Sequence, residues 1–195
     1  GHLAIRIGGT VYSANYIAVR EIDPNLLQHL TLGEYLYGVQ RPSPSQVHAS
    51  TYGMAYGRVT LGLRVAGVPL GRREKMAAQA ARIEESFSQG TLRYDRKDFN
   101  CADVVARILQ VGGYCRGTPL KRLGLPTMPL DVFEQARAAL ENDDSLQVDL
   151  VAYRQVPGSQ ASCQFSRFPL SISQPLRSVA RVLDDTPSDT LEVAV

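Results

Sequence analysis

The chain has 195 residues, of which 44% are hydrophobic and 21% charged, so one packed domain, or one domain with a tail, is affordable and global disorder is excluded. With 21 Lys+Arg against 19 Asp+Glu the formal net charge is only +2, which gives no electrostatic case for nucleic acid or an anionic membrane. No apolar run approaches the roughly 18 residues of a transmembrane helix, and no charged-apolar-small pattern opens the chain, so neither a membrane span nor a signal peptide is expected.

Residues 2–16 read as a β-hairpin. His2-Leu3-Ala4-Ile5-Arg6-Ile7 alternates with period two, Gly8-Gly9 is a two-residue turn signal, and Thr10 to Tyr16 is rich in strand formers. Residues 17–56 carry Asp23-Pro24, the apolar-aromatic patch Tyr35-Leu36-Tyr37 and Pro42-Ser43-Pro44-Ser45, and predict a long loop with one short strand. Arg58 to Val65 reads as a strand. Over 72–89 Met76, Ala80, Ile83 and Phe87 share one helical face, and Gly90 lies just past the end. Thr91 to Asp98 is a polar connection. A second helix is expected from about Cys101 to Val111, with Val104, Val105, Ile108 and Leu109 on its apolar face and Gly112-Gly113 as its stop. A third runs from Leu130 to Glu141, with Asp131 and Glu134 in capping-box spacing. Val148 to Tyr153 is a late strand. From 155 to 195 the chain is rich in Ser, Gln and Pro and reads as a C-terminal extension or tail beyond a catalytic domain at 1–154. The class is α+β.

Cys101 is the most informative residue. In Asp98-Phe99-Asn100-Cys101-Ala102-Asp103 a polar loop becomes an apolar-faced helix, which puts the sulfur in the first helical turn. The partial positive charge and unpaired N–H groups there favour thiolate, and the Cys101 N–H and the Asn100 side chain are expected to hold an oxyanion. From position alone the commoner reading is a small buried hydrophobe, since free cysteines are usually packing residues. A nucleophilic cysteine needs a base and an orienter for that base. His2 opens a strand and is the first choice. If Gly8-Gly9 is the turn, Ile7 pairs with Thr10, His2 faces Asn15, and Ala4 faces Ser13; Leu3, Ile5, Ile7 and Tyr12 then take the core side. An offset of one residue would bring Ser13 to the histidine instead.

The segment Gly1 to Gly9 followed by Val11-Tyr12-Ser13 resembles the histidine strand of papain-like NlpC-type hydrolases, and Phe99-Asn100-Cys101-Ala102-Asp103-Val104-Val105 resembles their nucleophile helix. The histidine strand comes first here, about a hundred residues before the cysteine, which is similar to the circularly permuted branch of the family. That branch includes bacterial amidases and peptidases, acyl enzymes of the lecithin–retinol-acyltransferase type, and the terminal domains of secreted bacterial toxins. The resemblance covers roughly residues 1–140. It implies a permuted papain-like fold with an antiparallel sheet against the nucleophile helix, Cys101 as nucleophile, His2 as base, and Asn15, or Ser13 with offset strands, in the third position. Ser13 would depart from the His, Asn or Gln usual there.

His48 is the fallback base, and His29 reads as local packing. Asp103 reads as a stabiliser of the helix terminus. Arg72-Arg73 and Arg93-Tyr94-Asp95-Arg96-Lys97 read as solvated charge runs. Three cysteines (Cys101, Cys115, Cys163) and three histidines are too few and scattered for a disulfide framework or metal cage, so neither metal nor cofactor is expected.

The expected function is cleavage of an amide, in a peptide or a peptidoglycan stem, through an acyl-enzyme. The first rival is a lipid acyl hydrolase or acyltransferase using the same pair, which an exposed apolar surface at Tyr35-Leu36-Tyr37 would favour. The second is a non-catalytic binding module with Cys101 as packing. The family resemblance implies a secreted or delivered bacterial effector with an immunity or chaperone protein as partner.

Overall fold

The first hairpin forms in the register its turn dictates. Strands β1 (Ala4–Ile7) and β2 (Thr10–Ala14) run antiparallel, with Ile5 opposite Tyr12, Arg6 opposite Val11 and Ile7 opposite Thr10. Gly8 takes φ 60° at the first central position, a conformation that type II′ turns require and that a Cβ disfavours. The computed structural model describes residues 2–14, 27–37, 60–117, 121, 124–153 and 191–194.

Beyond the hairpin come β3 (Leu27–Leu30), α1 (Leu32–Tyr37), β4 (Thr60–Ala66), α2 (Leu70–Ser88), α3 (Cys101–Gly112), α4 (Pro129–Glu141), β5 (Gln147–Tyr153) and β6 (Leu191–Ala194). The six strands form one sheet in the order β3-β2-β1-β6-β4-β5, and each neighbouring pair is antiparallel. The fold is mixed α+β.

Strand alternation sorts side chains between two cores. On the helix side Leu3, Ile5 and Ile7 of the first strand segment join Leu63, Val65, Leu191 and Val193 against the apolar stripes of α2, α3 and α4. Those stripes are Met76, Ala80, Ile83 and Phe87; Val104, Val105, Ile108 and Leu109; and Val132, Phe133, Ala136 and Leu140. Complete burial of a Leu, Ile or Phe side chain contributes about 1.5–3 kcal/mol, so this layer fixes where α3 begins. On the other side Ala4, Val11 and Leu30 pack with Leu32, Tyr35 and Leu36 of α1 and with Val151 and Tyr153.

Several boundaries differ from the sequence reading, each for a local reason. The region expected as a loop with one short strand holds β3 and, beyond that expectation, the helix α1, whose Tyr35 and Leu36 are buried in the second core and so do not form the exposed apolar surface that would favour a lipid substrate. Helix α2 starts at Leu70 rather than 72, because its first residue is solvent-facing and adds nothing to the apolar period. The capping box expected at Asp131 and Glu134 does not form. Pro129 takes the first helical position, where its missing N–H costs nothing, so Asp131 falls inside the first turn instead of before it.

The largest difference is at the end of the chain. The boundary at 154/155 assigns residues 191–194 to a tail, yet β6 lies between β1 and β4 at the centre of the sheet, with Leu191 and Val193 fully buried. Four alternating residues are too short a pattern to announce a strand. Its place follows from two partners that are distant in sequence. The rest of the extension, 154–190, lies outside the described residues.

Candidate active site

The approach to Cys101 is a tight turn. Asp95 and Phe99 exchange two backbone hydrogen bonds, at 2.9 and 3.0 Å, and the Asp95 carboxylate accepts the N–H groups of Lys97 and Asp98. Those two N–H groups hold the Asp95 carboxyl below its ordinary range. Phe99 is buried edge-on against Phe87, and the Arg107 guanidinium lies 4.4 Å from its ring centroid. The turn therefore delivers Asn100 to one place.

Asn100 caps α3. Its side-chain oxygen accepts the N–H groups of Ala102 and Asp103, while the Asp103 carboxylate accepts the Asn100 N–H at 3.0 Å, a complete capping box. The amide nitrogen of Asn100 donates to the carbonyls of Arg96 and Thr127. All of this amide is spent on structure, so the expected oxyanion role of the Asn100 side chain does not fit. The Cys101 N–H is not among the groups the box uses.

Cys101 opens the helix, as expected, with a free thiol that is only 5% exposed. Burial pushes the thiol above its ordinary pKa, and three donors pull against it: the Leu3 backbone N–H, the Tyr94 hydroxyl and the Ala102 N–H. The expected depressed pKa is thus reversed, because desolvation outweighs the helix terminus. Leu3 is the residue after His2, so the helix start and the histidine strand meet at the sulfur. Tyr94 escaped the sequence reading because it sits in a charge run that looks solvated; only the turn around Asp95 aims its hydroxyl at Cys101.

His2 stands just before β1. Its Nε2 lies 3.0 Å from the Ser13 hydroxyl, and its ring centroid is 6.3 Å from that of Tyr35. Ser13 faces Ala4 by the hairpin register, so the contact is diagonal. An unshifted ladder thus brings Ser13 to the histidine, with no offset of the strands. Asn15, His48 and Cys163 lie outside the described residues.

Behind the first turn of α3 sits a polar cluster. Asp103, 4% exposed, accepts from the Thr127 hydroxyl and the Lys121 ammonium, each at 2.7 Å. Lys121 also donates to the Asp98 carbonyl. Asp103 therefore stabilises the helix terminus, as expected, and ties it to the segment before α4. On that segment Leu125 is 51% and Met128 47% exposed.

The other singled-out residues stand apart from this site. His29 pairs with Glu84 across 3.3 Å and packs edge-on against Tyr12. The Cys115 thiol is buried and directed at the Gly117 carbonyl and the Gln135 amide oxygen. Arg72, expected in a solvated run, donates to the Tyr114 hydroxyl and the Asp143 carboxylate. Among the described residues no group of three His, Cys, Asp or Glu could hold a metal ion, and no helix is long and apolar enough to cross a membrane. Comparison with protein-family models, with curated proteins and with solved structures gives no match to this chain.

Proposed function

We propose that the chain is a cysteine hydrolase of permuted papain-like organisation that cleaves an amide in a peptide or peptidoglycan stem. One observation carries the reading: the Cys101 sulfur, at a helix start, lies against the N–H of Leu3, next in the chain to a histidine whose ring is held by Ser13.

Because burial keeps the resting sulfur protonated, activation is by general base at the moment of attack. As the carbonyl arrives, His2 takes the thiol proton while Ser13 holds its ring. Sulfur bonds to the carbonyl carbon, and the charge on oxygen meets the Cys101 N–H and the Tyr94 hydroxyl. His2 returns the proton to the leaving amine as the C–N bond breaks. Water, activated by the same imidazole, then hydrolyses the thioester and restores the thiol. The family resemblance further makes a secreted or delivered bacterial effector the setting, with an immunity or chaperone protein as its partner.

A second reading, hydrolysis or transfer of a lipid ester by the same pair, is favoured by the exposed Leu125 and Met128 on the segment hydrogen-bonded to Asn100. A panel of peptide amides, peptidoglycan stem fragments and acyl esters separates the two. Cys101→Ala and His2→Ala should each abolish turnover on whichever class is cleaved, and the double variant should be no worse than either, since the two act as a unit. Full turnover by Cys101→Ala would end both readings.

A further inference from the structure

Strands β1 and β4 are not paired with each other; β6 lies between them and pairs antiparallel with both. Without β6 the sheet would fall into two parts, β3-β2-β1 and β4-β5, each held by its own ladders. β5 ends at Tyr153 and β6 begins only at Leu191, so a long stretch of chain is closed to seat a strand of four residues. That closure and the ordering of the strand oppose its seating. The seat itself is chemically specific. Leu191 and Val193, both fully buried, stand opposite Ile7 and Ile5 on one side and Val65 and Leu63 on the other. Glu192 occupies the register position between Arg6 of β1 and Arg64 of β4. Opposite charges directly across an antiparallel pair favour that register, and like charges there oppose it.

This strand bears on Cys101 through β1. Helix α3 packs against β1, and the Leu3 backbone reaches the sulfur. Ala194 pairs with Ala4, the residue after Leu3, so the end of β6 anchors the stretch of β1 that lies on the thiol. A sulfur only 5% exposed cannot bond to a substrate carbonyl until a neighbour moves. Proteins open locally in cooperative units, and those with few buried apolar contacts open first. β6 contributes two such side chains, whereas α3 buries its whole first turn and both valines that follow. We propose that residues 191–194 are a releasable strand that gates Cys101: seated between β1 and β4 they hold the start of β1 on the thiol, and their withdrawal frees it to admit substrate. The inference rests on the proposed role of Cys101 and deepens it by naming what exposes the sulfur.

The test is the rate of Cys101 alkylation by iodoacetamide at fixed pH, in the full chain with Cys115→Ser and Cys163→Ser. Glu192→Arg sets three cations side by side across β1, β6 and β4 without touching the apolar seats. It should raise the rate roughly 10- to 100-fold. Combining it with Arg64→Glu, which restores an opposite-charge pair, should bring the rate back toward that of the parent. Val151→Ala thins the core on the other face of the sheet and should lower the melting temperature without a comparable rise in rate. An unchanged rate in Glu192→Arg would overturn the gate, and so would an equal rise in Val151→Ala, because the opening would then be global. If Glu192→Arg does not fold, hydrogen exchange of the parent chain decides: the amides of 191–194 should exchange faster than those of Val104 to Leu109, and equal or slower exchange overturns the gate. Alkylation needs no turnover. A rate governed by Glu192 in a chain that cleaves nothing would overturn the hydrolase reading and leave the gate standing, whereas cleavage through Cys101 with an unchanged rate in Glu192→Arg would do the reverse.

Discussion

The His2 imidazole lies 3.0 Å from the Ser13 hydroxyl, although Ser13 is opposite Ala4 in the ladder and not opposite His2. Diagonal neighbours on an antiparallel pair are within reach of aromatic side chains. In the proposed reaction the contact that orients His2 is therefore Ser13. Ser13→Ala should lower kcat by about 10- to 100-fold, less than the roughly 100- to 10,000-fold that a general base supplies as a whole. KM should change little. His2→Ala should cost more and Asn15→Ala less. Steady-state kinetics on the three variants gives the order directly, and a larger loss in Asn15→Ala than in Ser13→Ala would contradict the contact.

Burial raises the Cys101 pKa, opposed by the Leu3 N–H and the Tyr94 hydroxyl. The alkylation rate of Cys101 should therefore climb with pH through a midpoint above the ordinary thiol value of about 8.5. Tyr94→Phe, which deletes a donor to the sulfur, should push that midpoint higher and lower kcat. A midpoint below the ordinary value would contradict the buried thiol.

The same raised pKa has a consequence for stability. The folded chain holds the Cys101 proton to higher pH than the unfolded chain does. The stabilisation is complete below the unfolded thiol pKa and is lost as pH rises through the folded one. Cys115, also pushed up by burial, acts in the same direction. Denaturant midpoints should fall as pH rises above about 8.5, and the fall should be shallower in Cys101→Ser.

Asn100 caps the helix that Cys101 opens and also donates to Arg96 and Thr127. Asn100→Ala should destabilise the fold by about 1–2 kcal/mol, at the upper end for a lost cap. Asn100→Asp retains an acceptor for the cap but loses both donated bonds and adds charge beside Asp103. It should fall between the parent and Asn100→Ala in urea denaturation.

Gly67 joins β4 to α2 at φ 86°, and a Cβ there would meet the Ser145 carbonyl oxygen at 2.9 Å. Both the backbone conformation and the close approach exclude a side chain. Gly67→Ala should lose about 1–3 kcal/mol. At Gly9 a Cβ meets nothing within 4 Å, so Gly9→Ala should be milder in the same denaturation series.

Much of this architecture is written in local pattern. The apolar stripes of α2 and α3 lie on the faces their spacing predicts, because helical period alone decides which side chains share a face. The Gly8-Gly9 turn alone sets the hairpin register, and with it the burial of Leu3, Ile5 and Ile7. The place of Cys101 at a helix start follows from Asn100 and Asp103, whose side chains compete for backbone N–H groups within three residues. What the tertiary structure decided are the relations that no local period encodes. β6 enters the centre of the sheet by pairing with strands far away in sequence, and Lys121 and Thr127 reach Asp103 from beyond the end of its helix. Tyr94 becomes a partner of the sulfur only once the Asp95–Phe99 turn closes. The ionisation of Cys101 reverses for the same reason: a helix terminus acts over one turn, whereas desolvation depends on everything the fold packs around the thiol.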